Sequence, residues 1–244
     1  MTEVVFWDFH GTLTYDRYGW SGTMLRILEA YRPGHAVRRE TISHLLSTGF
    51  PWHTPEKGHT EYNDDPKAWW RASDEQMARV YNQVGVPARE AKRLAGLFRD
   101  MYFCPENFIP YDDTVQALAV CREKGFRNVI LSNHVPELRD ILAGLPFVHL
   151  IDDAVSSAWV GYEKPHPAIF AHARKIAGEP DICWMVGDNY TADCMGALAA
   201  GFQPIWVHHE GKTPRDWDKR VRRADTLMDV VAIITGEDAC DGKE

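Results

Sequence analysis

The sequence predicts an α/β protein: a doubly wound parallel sheet carrying an inserted all-helical segment. Three observations point there. Short apolar runs recur with helical patterns between them, the alternation that builds a parallel sheet with helices on both faces. The runs are continuously apolar, as strands buried on both faces are. Residues 14–107 break the alternation with segments of helical period only.

The opening Val4-Val5-Phe6-Trp7 reads as the first strand, rich in β-branched and aromatic residues. Later strands are expected at Asn128 to Leu131, Val148 to Val155 despite its acidic interruption, Ile182 to Val186 and Pro204 to Val207. Helices fall between them at Asp113 to Lys124, Pro167 to Ala177, Thr191 to Ala200 and Thr226 to Ile234, with Gly125 and Gly201 as stops. Inside the insert, helical segments run around Gly22 to Tyr31, Ala36 to Leu46, Pro66 to Val84 and Pro87 to Met101. The stretch from Gly49 to Asp65 mixes Pro, Gly, aromatic and His residues without a period and reads as a loop. Trp69-Trp70 is expected to anchor packing, and the polar tail after Gly236 to fray. The domains are therefore 1–13 with 108–244, and 14–107.

Composition narrows the function. At 244 residues, 45% apolar and 25% charged, the chain has globular composition. A net charge of −8 argues against nucleic acid and against an acidic membrane surface, since both need a basic face. Five cysteines without a C-x-x-C pair suit a reducing cytoplasm better than a disulfide framework. The first residues lack the basic flank and apolar length of a signal peptide, and no apolar run reaches the roughly 18 residues of a membrane span. A small-molecule partner is the expectation. The histidines show no zinc spacing. Arg215, Lys219, Arg220, Arg222 and Arg223, interrupted by Asp216 and Asp218, read as a solvated helix face.

Four signals fall at expected strand ends or helix starts, where such a sheet presents its ligand site. They are Asp8-Phe9-His10-Gly11-Thr12, Leu131-Ser132-Asn133, Glu163-Lys164-Pro165, and Gly187-Asp188 followed by Asp193. Together they suit phosphoryl transfer, which needs a nucleophile in line and compensation for charge on the remaining oxygens. Asp8 is the candidate nucleophile, forming an aspartyl phosphate that water hydrolyses. Asp8 and Asp188, with Asp193 beside or behind them, make an all-oxygen site suited to Mg²⁺. Lys164 adds positive charge, while Ser132 and the backbone near Asn133 can donate to a phosphoryl oxygen. Trp52 and His53, with Lys57 and His59, lie in the insert loop as candidate substrate contacts.

In these motifs and their order the chain resembles the haloacid dehalogenase superfamily, whose phosphatases carry D-x-D-G-T, a strand ending in Ser or Thr, a Lys, and G-D-x-x-x-x-D. The resemblance covers residues 1–13 and roughly 108–244, and the insert resembles the helical cap of many members. It implies a Mg²⁺-dependent phosphatase for a small phosphorylated metabolite. One position departs from the pattern: His10 stands where those phosphatases have an Asp that protonates the leaving group and later activates water. The resemblance still implies metal ligation by the His10 backbone carbonyl, and an imidazole suits acid and base duty near neutrality. Two alternatives stay open: a dehalogenase-like or phosphonate-cleaving relative, with Lys57 or Lys67 as the lysine the latter would need, and a non-catalytic binding or regulatory protein on the same fold.

Overall fold

A computed structural model describes residues 1–63, 65–209 and 217–237. In chain order it runs β1 (Glu3–Trp7), β2 (Thr14–Asp16), α1 (Gly19–Tyr31), α2 (Arg39–Leu45), α3 (Pro66–Gln83), α4 (Ala88–Ala95), α5 (Phe98–Tyr102), β3 (Phe108–Pro110) and α6 (Thr114–Glu123). Then follow β4 (Arg127–Ser132), α7 (Leu138–Ala143), β5 (Asp153–Ser156), α8 (Ser157–Val160), α9 (Pro167–Ile176), β6 (Ile182–Gly187), α10 (Gly196–Ala199), β7 (Gln203–Val207), β8 (Arg222–Ala224) and α11 (Leu227–Thr235).

The main sheet has the order β5-β4-β1-β6-β7-β8 and is parallel throughout. This is the Rossmann-like, doubly wound arrangement. Successive side chains of β1 serve opposite faces, as the period of a strand requires. Val5 and Trp7 join one apolar cluster with Leu118 of α6 and Val230 of α11, whereas Val4 and Phe6 join another with Phe170 of α9 and Ala197 of α10. Trp7 also donates its indole N–H to Asn128 Oδ1 at 3.0 Å, tying β1 to β4 inside the core.

Between β1 and β4 lies the helical segment, bracketed by β2 and β3, which pair antiparallel as a separate ribbon. The sequence gives no sign of this ribbon because each strand has three residues. Three further helix and strand expectations change. Val148 to Leu150 forms a 3₁₀ turn, and β5 starts only at Asp153. The acidic pair explains the delay, since Asp152 Oδ2 accepts the Asn128 N–H at 2.8 Å and fixes the entry to the strand. The helix expected from Pro87 to Met101 is two, α4 and α5, parted at Gly96-Leu97; glycine is a poor helix former, and the break lets Phe98 turn into the aromatic cluster around Trp20. Thr191 to Ala200 starts as a wider π turn over Tyr190–Met195 before α10.

The basic cluster is not a helix face. Arg222 and Arg223 lie in the edge strand β8, and Lys219 and Arg220 precede it. A short strand bearing arginines discourages further strand pairing at an edge. Arg215, Asp216, Cys240 and the polar tail from residue 238 lie outside the described residues. No helix among the described residues is long and apolar enough to cross a membrane.

Candidate active site

The carboxyl ends of β1, β4 and β6 converge on one cleft of about 540 Å³, the position expected for a ligand site in this architecture. Asp8 follows β1, Ser132 ends β4 and Asp188 follows β6; Lys164 and Asp193 reach the same space from the residues before α9 and from the π turn. His10, Asn133 and Trp52 also line it.

Lys164 is the buried centre of this group. Its Nζ donates to the carbonyl of Leu131 at 2.8 Å and ion-pairs with Asp8 Oδ1 at 2.9 Å and with Asp193 Oδ1. Burial opposes its charge, but Asp193 and Asp8 outweigh that effect and its pKa is raised. Asn133 holds the lysine's backbone: its Oδ1 accepts the Lys164 N–H at 2.7 Å and its Nδ2 donates to the Lys164 carbonyl at 3.0 Å. The Asn133 side chain is thus committed to positioning Lys164, and only its backbone is left for the substrate contact expected of this residue.

Two glycines explain why the acidic motifs have their spacing. Gly11 has φ +88°, and a Cβ there would stand 2.5 Å from Asp188 Oδ2. A Cβ on Gly187 would fall 2.1 Å from Asp193 Oδ2. Both carboxylates thus lie directly against bare backbone. Thr12 donates its hydroxyl to Asp188 Oδ1 at 3.2 Å, and the Trp206 indole N–H donates to the Asp188 carbonyl at 2.8 Å. Asp193 is wholly buried, with Oδ2 accepting the Asn189 N–H at 2.9 Å and Oδ1 facing Lys164. It stands behind Asp188, which opens to the cleft.

Carboxylate oxygens of Asp8, Asp188 and Asp193 lie within 4.8 Å of one another. One ammonium against three carboxylates leaves an excess of negative charge. Dehydration within the protein, then repulsion from Asp8, pushes Asp188 up to about 6. Burial pushes Asp193 up to about 7, against the pull of Lys164. An oxygen-only donor set with excess charge, open on one side to a cleft, fits a hard divalent cation such as Mg²⁺. Asp8, Asp188 and the His10 carbonyl are the residues that could hold it, with Asp193 behind them.

His10 lines the cleft with its side chain 42% exposed, and its Nδ1 lies 3.4 Å from Asp16 Oδ2. Asp16 is raised by burial, offset in part by His10. Of the insert residues, Trp52 lines the cleft but His53 does not; His53 Nδ1 accepts the Phe50 N–H at 3.2 Å and shapes the turn. His59, a candidate substrate contact in the same loop, is buried away from the cleft lining, with Nε2 3.0 Å from Glu163 Oε1. Trp69 and Trp70 pack as expected, and the Trp70 indole N–H also reaches Glu137.

Other residues at the site escape sequence reasoning. Thr12 and Asn189 were visible as motif neighbours. Trp20 and Tyr102 carry no local signal, because the fold brings them to the cleft from distant positions; Trp206 reaches only the Asp188 carbonyl, and His134 follows Asn133 directly without being singled out.

The profile of the haloacid dehalogenase-like hydrolases matches residues 2–201. The chain belongs to this hydrolase family. Among members of the haloacid dehalogenase-like family, it is 28% identical over 172 residues to mouse haloacid dehalogenase-like hydrolase domain-containing protein 3, covering 70% of this chain and 64% of that one. It is 34% identical over 134 residues to phosphoserine phosphatase of Thermus thermophilus, covering 54% and 52%. The chain thus spans less than two thirds of the length of these relatives. The solved L-2-haloacid dehalogenase of Xanthobacter autotrophicus superimposes with a TM-score of 0.68 at 20% identity, over 97% of this chain and 100% of that one, a likeness of fold.

Proposed function

We propose that this hydrolase is a Mg²⁺-dependent phosphatase for a small phosphorylated metabolite, with Asp8 as nucleophile and residues 14–107 as a helical cap. The observation that carries the reading is the buried ion pair of Asp8 and Lys164 beside Asp188 and Asp193 in one cleft. A nucleophilic carboxylate held against a fixed ammonium meets the charge demands of an in-line attack on phosphorus. The likeness to a phosphoserine phosphatase adds support.

In this reading Ser132 donates to a phosphoryl oxygen, the Lys164 ammonium compensates charge beside it while holding Asp8, and Asp8 attacks phosphorus to give an aspartyl phosphate while the P–O bond to the alcohol breaks. His10, steadied by Asp16, gives its proton to the departing oxygen and then takes one from the water that hydrolyses the intermediate. When bound at Asp8, Asp188 and the His10 carbonyl, Mg²⁺ would supply charge compensation at the phosphate. The insert covers the cleft with Trp20, Trp52, Pro55 and Tyr102, which suits a cap that excludes water and selects the alcohol. Among the described residues the cysteines are free, which supports a reducing cytoplasmic setting.

The excess of carboxylate favours the phosphatase over a metal-free dehalogenase, which has no use for it. Phosphate release from p-nitrophenyl phosphate, with and without Mg²⁺ and chelator, tests the choice. Release that requires the metal is the expected result. Halide release from 2-halo acids without metal would overturn it.

A further inference from the structure

The cleft has two unlike walls. Every carboxylate and ammonium lining it among the described residues, Asp8, Lys164, Asp188 and Asp193, stands at the strand ends where the phosphoryl group would sit. The insert contributes Trp20, Trp52, Pro55 and Tyr102, none of them charged. We propose that the leaving alcohol of the substrate carries a flat, uncharged aromatic ring, received against Trp52 and Trp20. This rests on the phosphatase reading and names the substrate class for the same site.

A carboxylate or second phosphate on the alcohol would lose its water against this wall and gain no cation in return. Lys164 is already engaged with Asp8, Asp193 and the Leu131 carbonyl. His134, at the edge of the wall, offers no charge, because burial, with His10 nearby, holds its pKa down to about 3. A polyhydroxylated alcohol does little better, since the wall is ring and proline carbon with one hydroxyl, that of Tyr102, already engaged, and only indole N–H groups besides. The Tyr102 hydroxyl donates to Asp16 Oδ2 at 3.3 Å. Ring faces are what remains.

Those faces are held rigidly. Trp52 stacks on Phe50 with centroids 4.6 Å apart and planes 3° apart, and meets Trp20 at 5.3 Å and 64°. Trp20 in turn touches Phe98 and Tyr102 at 4.7 and 5.6 Å. Both tryptophans keep part of their surface free while their orientation is fixed by neighbours. A preformed aromatic surface receives a flat ring with little ordering cost.

The test compares 2-phenylethyl phosphate with ethyl phosphate, O-phosphoserine and glycerol 3-phosphate on the full chain with Mg²⁺. All four are alkyl esters, so the departing oxygens are chemically alike and the ranking reports the alcohol's binding. The phenylethyl ester should exceed phosphoserine and glycerol phosphate in kcat/KM by about tenfold or more. Trp52→Ala should collapse the ratio of phenylethyl to ethyl phosphate by about tenfold, and Trp52→Phe should restore most of it. Phosphoserine or glycerol phosphate used equally well or better would overturn the inference and leave the phosphatase reading standing. No phosphate release from any ester would instead remove the phosphatase reading. Quenching of tryptophan fluorescence by the same esters then decides the inference: tighter binding of the aromatic ester supports it, and equal binding overturns it.

Discussion

The floor and the roof of the cleft are built from opposite chemistry. On the floor, Lys164 satisfies three acceptors while Asp8, Asp188 and Asp193 crowd within 4.8 Å, so its charged groups are held close together by ionic contact. On the roof, Trp20, Trp52 and Tyr102 are held by ring contacts with Phe50, Phe98 and one another. A phosphoryl group is the same in every monoester, so the part that handles it can be rigid and highly charged. In the proposed reaction the alcohol varies, and the part that would meet it is carried by a separate stretch of chain.

The two regions share one apolar cluster and are tied by several polar contacts. Glu137, just before α7, accepts from the Trp70 indole N–H at 2.9 Å and pairs with Arg99. His59 meets Glu163 beside Lys164, and Asn63 donates to the Val160 carbonyl at 3.1 Å. Changes on the floor should therefore remove chemistry for every substrate, whereas changes on the roof or at its ties should act on preference and affinity.

The largest effect is expected for Lys164→Met. Without the ammonium, Asp8 and Asp193 face each other unpaired in a buried site. Turnover should fall by about 10³-fold on all substrates, and unfolding in urea should report a loss of about 3–5 kcal/mol, the cost of breaking a buried pair. Uniform loss is the mark of the floor; a loss confined to one ester would break the division.

His10→Ala sharpens it further. Alkyl phosphates, which need a proton on the departing oxygen, should slow by about 10²-fold or more, and an activated aryl phosphate should slow far less while phosphoenzyme accumulates. Steady-state rates and acid-quenched protein report both. Equal slowing with no accumulation would return His10 to a structural role.

The acidic floor should also respond to pH and metal together. Asp188 and Asp193 are raised in the folded chain to about 6 and 7. Ionising them therefore costs stability: the cost is absent below their unfolded values near 4 and grows as pH rises through about 7. Asp193, wholly buried, carries most of it. A cation relieves this repulsion. Calorimetry should find that Mg²⁺ raises Tm more at pH 8 than at pH 5; an equal shift at both would separate the metal from this cluster.

The smallest effect concerns the ties. Glu137→Gln keeps an acceptor for Trp70 but removes the charge that meets Arg99. Stability should fall by about 1 kcal/mol, with KM altered more than kcat. A loss of kcat matching that of Lys164→Met would mean the two regions are not separable in function.

The floor was legible from the sequence because its residues lie in short motifs whose spacing has a physical cause. Gly11 and Gly187 admit the carboxylates of Asp188 and Asp193, and strand ends bring Asp8 and Ser132 together. The roof was not legible: Trp20 and Tyr102 are about eighty positions apart and meet only in the folded chain. Trp52 alone drew notice, through its irregular loop. The β2/β3 ribbon escaped because three-residue strands leave no period, and β8 because arginines at an edge look like a solvated helix face. Asn133 was visible, but its service to the Lys164 backbone depends on a contact across 31 residues.

The central claim is that Asp8 carries the phosphoryl group. Wild-type protein mixed with Mg²⁺ and an activated aryl phosphate, quenched in acid and digested, should yield a phosphorylated peptide with the modification on Asp8. Asp8→Asn should yield none and retain less than about 1% of turnover while melting like the wild type. Phosphate found on another residue, or an Asp8→Asn protein that keeps a substantial share of its activity, would contradict the account.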